Sequence, residues 1–76
     1  MGKPQLKDIE LLHKTVHGLK TLRTERKVTQ EDFYNDTGIH IARIETGKVN
    51  LSLSTLNAVL RYYEVPLSVF FASIER

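Results

Sequence analysis

The stretch Thr29–Gly47, TQEDFYNDTGIHIARIETG, constrains this chain most. Thr29 is a favoured helix N-cap, and Asp32 three residues on can answer it as in a capping box. The helix so begun is short, because Asp36-Thr37-Gly38 interrupts it with turn chemistry. A second short helix is predicted from Gly38 to Thr46, capped by Thr37, with Ile41 and Ile44 on one face. Gly47 supplies the left-handed residue that ends it. The outline is two short helices joined by a tight, glycine-containing turn.

Size limits what can surround this unit. At 76 residues the chain is read as one domain, residues 1–76. A core this small leaves little stability in reserve. A hydrophobic content of 41% nevertheless favours a folded chain over a disordered one. With no cysteine, disulfides and thiolate metal sites are excluded. A chain this small and unstapled suits a reducing compartment and can lean on a partner subunit. No apolar run approaches a membrane span and Met1-Gly2-Lys3-Pro4 does not open a signal peptide, so a cytoplasmic location and no membrane partner are expected.

The net charge of +2 does not by itself announce nucleic acid. Its distribution is more informative. Lys20, Arg23, Arg26 and Lys27 gather against the single acid Glu25, and Arg43 and Lys48 lie in and just after the second short helix. Glu31, Asp32 and Asp36 form an acidic interval between them. Residue by residue this is an ordinary mixed surface; only the fold can bring Arg43, Lys48 and part of the first cluster to one side.

The remaining chain supplies the support. Residues 1–7 read as a frayed tail. Asp8 can cap a helix to about Lys27 whose apolar positions Ile9, Leu12, Val16, Leu19 and Leu22 recur at steps of three or four. Gly18 within it costs roughly 1 kcal/mol against alanine and admits a bend. Leu11 falls off the stripe. Val28 is a short apolar plug, and Lys48 to Leu51 a loop. Ser52 caps a helix with Leu53, Leu56, Val59, Leu60 and Tyr63 on its inner side, which Val65-Pro66 stops. Ser68 caps a last helix from Val69 to about Glu75, with more apolar surface than one inner face can use. The expected architecture is all-α, a compact five-helix bundle without a sheet. Thr29–Gly47 within it has the outline of a helix-turn-helix, a device that docks on DNA.

With these elements placed, the chain resembles the Cro and phage-repressor type of helix-turn-helix protein, the Xre family, over about Leu19 to Phe70. The residues that carry the likeness are Leu19, Leu22 and Arg23, then Val28-Thr29-Gln30-Glu31, Phe33, Gly38 and Ile39. The run Ile41-Ala42-Arg43-Ile44-Glu45-Thr46-Gly47-Lys48 follows, then Ser52-Leu53, Thr55-Leu56 and Leu60 through Val65. The resemblance implies a lambda-repressor-like DNA-binding domain with no cofactor. It implies that Gln30 holds a DNA phosphate at a helix N-terminus, which also attracts anions on general grounds. It implies an internal ion pair between Arg23 and Glu45, a backbone-facing loop at Lys48 and Asn50, and a DNA-facing Arg43. It implies dimerisation, so that two recognition helices meet successive major-groove faces roughly 34 Å apart.

The chain departs from the family in three places. Gly47 follows Gln30 by seventeen residues, three fewer than usual, and the gap falls between Ile39 and Ile41, where His40 stands alone. The missing residues correspond to the first turn of the recognition helix. Tyr34 stands where a small residue is usual, and its ring is expected to fill space left by the shorter helix. Lys27 replaces the usual glycine.

On a helix from Gly38 to Thr46, His40, Arg43 and Thr46 share the face opposite Ile41 and Ile44. They are the candidates for base contact. Arg43 leads, because a guanidinium can grip a guanine edge with two hydrogen bonds for roughly 1–3 kcal/mol of discrimination. Arg43 could instead pair with an acid, and His40 could be a solvated turn residue. Gln30, Lys27, Lys48 and Asn50 suit phosphate contact, which gives affinity and salt sensitivity but little sequence preference. Val69, Phe71 and Ile74 are the candidate dimer interface; Phe70 and Phe71 could instead both cap the core.

Two other functions stand beside DNA binding. Catalysis lacks a spacing to support it: His13 and His17 stand four apart, but Lys14 follows His13 where a zincin needs glutamate, and no Gly-rich phosphate loop is present. No metal site and no enzyme activity are expected. The other is a protein-interaction module, or an antitoxin of the same fold that binds both an operator and a cognate toxin.

Overall fold

The computed structural model describes residues 8–75; the expected tail, residues 1–7, lies outside them. Five helices follow one another: α1 Ile9–Glu25, α2 Gln30–Thr37, α3 Ile41–Glu45, α4 Leu53–Tyr62 and α5 Leu67–Ile74. No strand occurs among the described residues, so the all-α, five-helix reading holds. No described helix is long and apolar enough to cross a membrane.

α1 starts where its cap predicts: the Leu11 N–H donates to Asp8 Oδ1 at 2.9 Å. Leu12, Val16 and Leu19 are buried along its inner stripe, whereas Ile9, at the overhanging first turn, and Leu11 are exposed. The helix ends at Glu25, two residues before the expected Lys27, in a left-handed turn. Lys27 itself has φ 57°, its N–H donates to the Thr24 carbonyl, and the next N–H, of Val28, reaches back to Arg23 O. Glycine suits such a position because it has no Cβ to strain; Lys27 occupies it at some cost.

Gly18 lies within an unbroken α1. Its reason is tertiary. A Cβ at residue 18 would lie 2.8 Å from Ile74 Cγ2 and 3.1 Å from the Phe70 ring, so glycine lets α5 pack close against α1.

The core draws on every helix: Leu12, Val16 and Leu19 from α1, Phe33 from α2, Ile41 and Ile44 from α3, Leu56, Val59 and Leu60 from α4, and Phe70 from α5, with Tyr63 just past α4. Phe33 is fully buried, edge-on to Tyr62 with ring centroids 4.9 Å apart and stacked on Tyr63 at 5.8 Å. The Tyr62 hydroxyl donates to Asp36 Oδ2 at 2.6 Å, fastening the end of α2 to α4.

Four local expectations are corrected. The second motif helix does not start at Gly38 and Thr37 is not its cap. Thr37 closes α2, its hydroxyl donating to Phe33 O and accepting from the Ile39 N–H. Gly38, at φ 74°, ends α2 in a left-handed conformation that cannot begin a right-handed helix, so α3 waits until Ile41. Leu53, placed on the inner side of α4, is 74% exposed because the first residue of the helix overhangs the core. α4 ends at Tyr62, ahead of Val65-Pro66: Glu64 turns left-handed at φ 59° and the Val65 N–H reaches back to Leu60 O. Finally α5 begins at Leu67 behind Pro66, and Ser68 is inside the helix rather than its cap. Proline, with φ held near −65° and no N–H, fits that boundary without a side-chain acceptor.

Candidate nucleic-acid interface

α2, the Gly38–His40 turn and α3 form two short helices at the surface, held from beneath by a buried ionic clamp. Arg23 of α1 donates through Nε to Glu45 Oε2 at 2.6 Å and through Nη2 to Oε1 at 2.9 Å. Its Nη1 donates to the Val28 carbonyl at 2.8 Å. Gln30, the first residue of α2, adds a third donor to Glu45, Nε2 to Oε1 at 2.9 Å. The pair is 10% and 4% exposed at its side chains, so bulk water screens it little. The hydrogen bonds to Glu45 hold the Arg23 pKa above its ordinary value, against the opposing effect of burial. One carboxylate at the end of α3 thus joins α1 to the start of α2, and Arg23 ties the α1–α2 turn to the same cluster. The Arg23–Glu45 contact that the family resemblance implied is present.

α3 has five residues, too few to be stable alone. Its hold comes from Ile41 and Ile44, both buried, and from Glu45. Ala42 and Arg43 consequently face outward, with His40 just before and Thr46 just after; all four are exposed. No acid partners the Arg43 guanidinium among the described residues. The His40 ring lies on that of Tyr34, centroids 4.5 Å apart and planes at 31°. Tyr34 is 43% exposed, so its ring covers the turn rather than filling the core. Thr46 is more committed than its face implied: its hydroxyl donates to Arg43 O and accepts from the Lys48 N–H, closing α3.

Lys27, Gln30, Lys48 and Asn50, read as phosphate contacts, are all exposed. The Gln30 side-chain amide is turned toward Glu45, an engagement that no local pattern signals. Gly47, at φ 71°, turns the chain out of α3 beneath the His13 ring; a Cβ there would lie 3.1 Å from His13 Cδ2. Among the described residues no group of three or more metal-binding side chains is gathered.

α1 and α5 border an open groove of about 620 Å³ whose apolar lining includes Leu22, Val65, Val69, Phe70 and Ile74, with Lys14 and Glu25 among its polar lining. Of the three candidate interface residues, Val69 is 58% exposed, whereas Phe71 and Ile74 are half-buried against the core.

Two tyrosines titrate above their ordinary value. Burial pushes the Tyr63 hydroxyl up to about 12, and its oxygen has no hydrogen-bond partner among the described residues. The hydrogen bond to Asp36 raises that of Tyr62.

A bundle that presents a short, clamped two-helix unit at its surface is the architecture of a helix-turn-helix domain. Comparison with protein families gives the same answer: the helix-turn-helix family model HTH_3 matches residues 19–70. The chain therefore belongs to that family, the Xre and lambda-repressor type of helix-turn-helix proteins. These domains are DNA-binding regulators rather than enzymes. None of the curated proteins compared with the chain matches it.

Proposed function

We propose that the chain is a sequence-specific transcriptional regulator, a repressor or autoregulator that binds double-stranded DNA as a homodimer of one-domain subunits. The observation that carries this reading is the Glu45 clamp. It fixes a helix too short to stand alone so that Arg43, unpaired among the described residues, points into solvent. A guanidinium presented on a rigid base is suited to bidentate contact with a guanine edge. His40 and Thr46 flank it, with Thr46 contributing its methyl group because its hydroxyl is occupied. Lys27, Gln30, Lys48 and Asn50 meet phosphates, Gln30 through its backbone N–H at the start of α2.

A second subunit would bring a second α3 to the next major-groove face. Val69, Phe71 and Ile74 are its proposed contacts, and the adjoining groove is in keeping with that. The same groove supports a second reading, in which a protein partner such as a toxin occupies it and DNA readout is weak.

The test is selection of bound duplexes from a random pool, for wild type, Arg43→Ala and Lys48→Ala. The expected site is two-fold symmetric. Arg43→Ala blurs one position in each half, while Lys48→Ala weakens all sequences alike and flattens the salt dependence. If no duplex competes better than bulk DNA at physiological salt, operator binding is wrong and the protein-partner reading leads.

A further inference from the structure

His40 enters α3 with no side-chain capping bond, and its ring nitrogens have no partner among the described residues. An exposed imidazole in that state ordinarily samples several rotamers, and freezing it on binding costs free energy. Here it does not stand alone. Tyr34, one turn before the end of α2, lays its ring on the imidazole, with centroids 4.5 Å apart. The contact bridges the turn between the two motif helices and lies outside the buried core, since both residues are exposed. A tyrosine loses little freedom when it stacks, having only two side-chain torsions. The Tyr34 hydroxyl is likewise unpartnered among the described residues.

We propose that Tyr34 is a positioning residue for DNA recognition: its ring holds the His40 imidazole in the orientation in which a ring N–H meets the duplex. This rests on the DNA-binding reading above and deepens it. The aromatic ring is what does the positioning; the hydroxyl is dispensable. Tyr34 is a residue the family pattern gives no reason to assign to the DNA face, and its role follows from the stack alone.

The experiment is a double-mutant cycle on the selected duplex, read by fluorescence anisotropy, with Tyr34→Ala, Tyr34→Phe, His40→Ala and the Tyr34→Ala/His40→Ala pair. His40→Ala is expected to weaken binding about tenfold, the scale of one hydrogen bond to a charged or polar partner. Tyr34→Ala is expected to lose a similar factor, and the double variant little more than either. Tyr34→Phe is expected to bind as wild type. Selection profiles of the two alanine variants should blur at the same position, which a loss of folding would not produce. Additive losses, a Tyr34→Phe as weak as Tyr34→Ala, or an unaffected Tyr34→Ala would each overturn the proposal. In those cases Arg43→Ala still blurs its own position and the DNA-binding reading survives. If wild type itself selects no duplex, both readings fall together.

Discussion

Replacing Glu45 by alanine should cost far more than the loss of an ordinary surface ion pair. The carboxylate accepts three hydrogen bonds, two from Arg23 and one from Gln30, and its side chain is 4% exposed. Removal leaves a guanidinium that is 10% exposed with, among the described residues, only the Val28 carbonyl to satisfy it. Breaking a buried pair from one side typically costs about 3–5 kcal/mol, against about 0–1 kcal/mol for an exposed pair. A chain of this length has a total stability of roughly 4–11 kcal/mol at the usual 0.05–0.15 kcal/mol per residue. A loss of about 3 kcal/mol is therefore a large fraction of the whole and should lower the Tm by roughly 12–24 °C. Urea unfolding followed by far-UV circular dichroism measures it. Because the pair is buried, the difference between wild type and Glu45→Ala should change little between 0.05 M and about 0.5 M salt. Arg23→Met/Glu45→Leu should recover much of the loss, since no charge is then left stranded. A cost below about 1 kcal/mol, or one that vanishes in salt, would refute the idea that this carboxylate clamps the motif.

Three other expectations follow from particular positions. Tyr63 keeps its proton to about pH 12 when folded, whereas an exposed tyrosine loses it near 10. Unfolding therefore releases a proton in that window, and stability, fully present below pH 10, should fall as pH rises from about 10 to about 12; a Tyr63→Phe variant should lose less over the same range. Gly18→Ala should destabilise by about 1 kcal/mol despite the better helix propensity of alanine, because its Cβ would press on Ile74 and Phe70; an increase in Tm would contradict the close approach of α1 and α5. Lys27→Gly should raise stability by up to about 1 kcal/mol by relieving a left-handed lysine, and at the same time weaken DNA binding if Lys27 meets a phosphate. Thermal melts and anisotropy titrations separate the two effects.

Periodicity and caps carried most of the fold. The stripe Leu12, Val16, Leu19 and the caps Asp8, Thr29 and Ser52 are local signals, and each stands where the sequence puts it. The errors came where one residue has two possible jobs. Gly38 can either end α2 or begin the next helix, and its left-handed φ permits only the first. Ser68 and Pro66 both mark a helix start, and the proline lies nearer the true one. Leu53 has the right phase but sits beyond the edge of the core, which phase alone cannot report. At the site, the Arg23–Glu45 pair was legible only through family resemblance; no spacing rule joins residues 22 apart. The contacts Gln30–Glu45, Tyr62–Asp36 and Arg26–Tyr63 O are likewise long-range and left no trace in the local pattern. Gly18 looks like a weakness of α1 in the local pattern because its true constraint lies on another helix.

The most direct test of the account is to titrate the isotopically labelled protein with the selected duplex and follow backbone amide shifts by NMR. Perturbations should concentrate at Gln30, at His40 through Arg43 and at Thr46 through Asn50, with α1–α5 groove residues such as Val69 and Ser73 unaffected by DNA. Shifts confined to that groove, or none that saturate at physiological salt, would contradict the claim that the clamped α3 is a DNA-reading element.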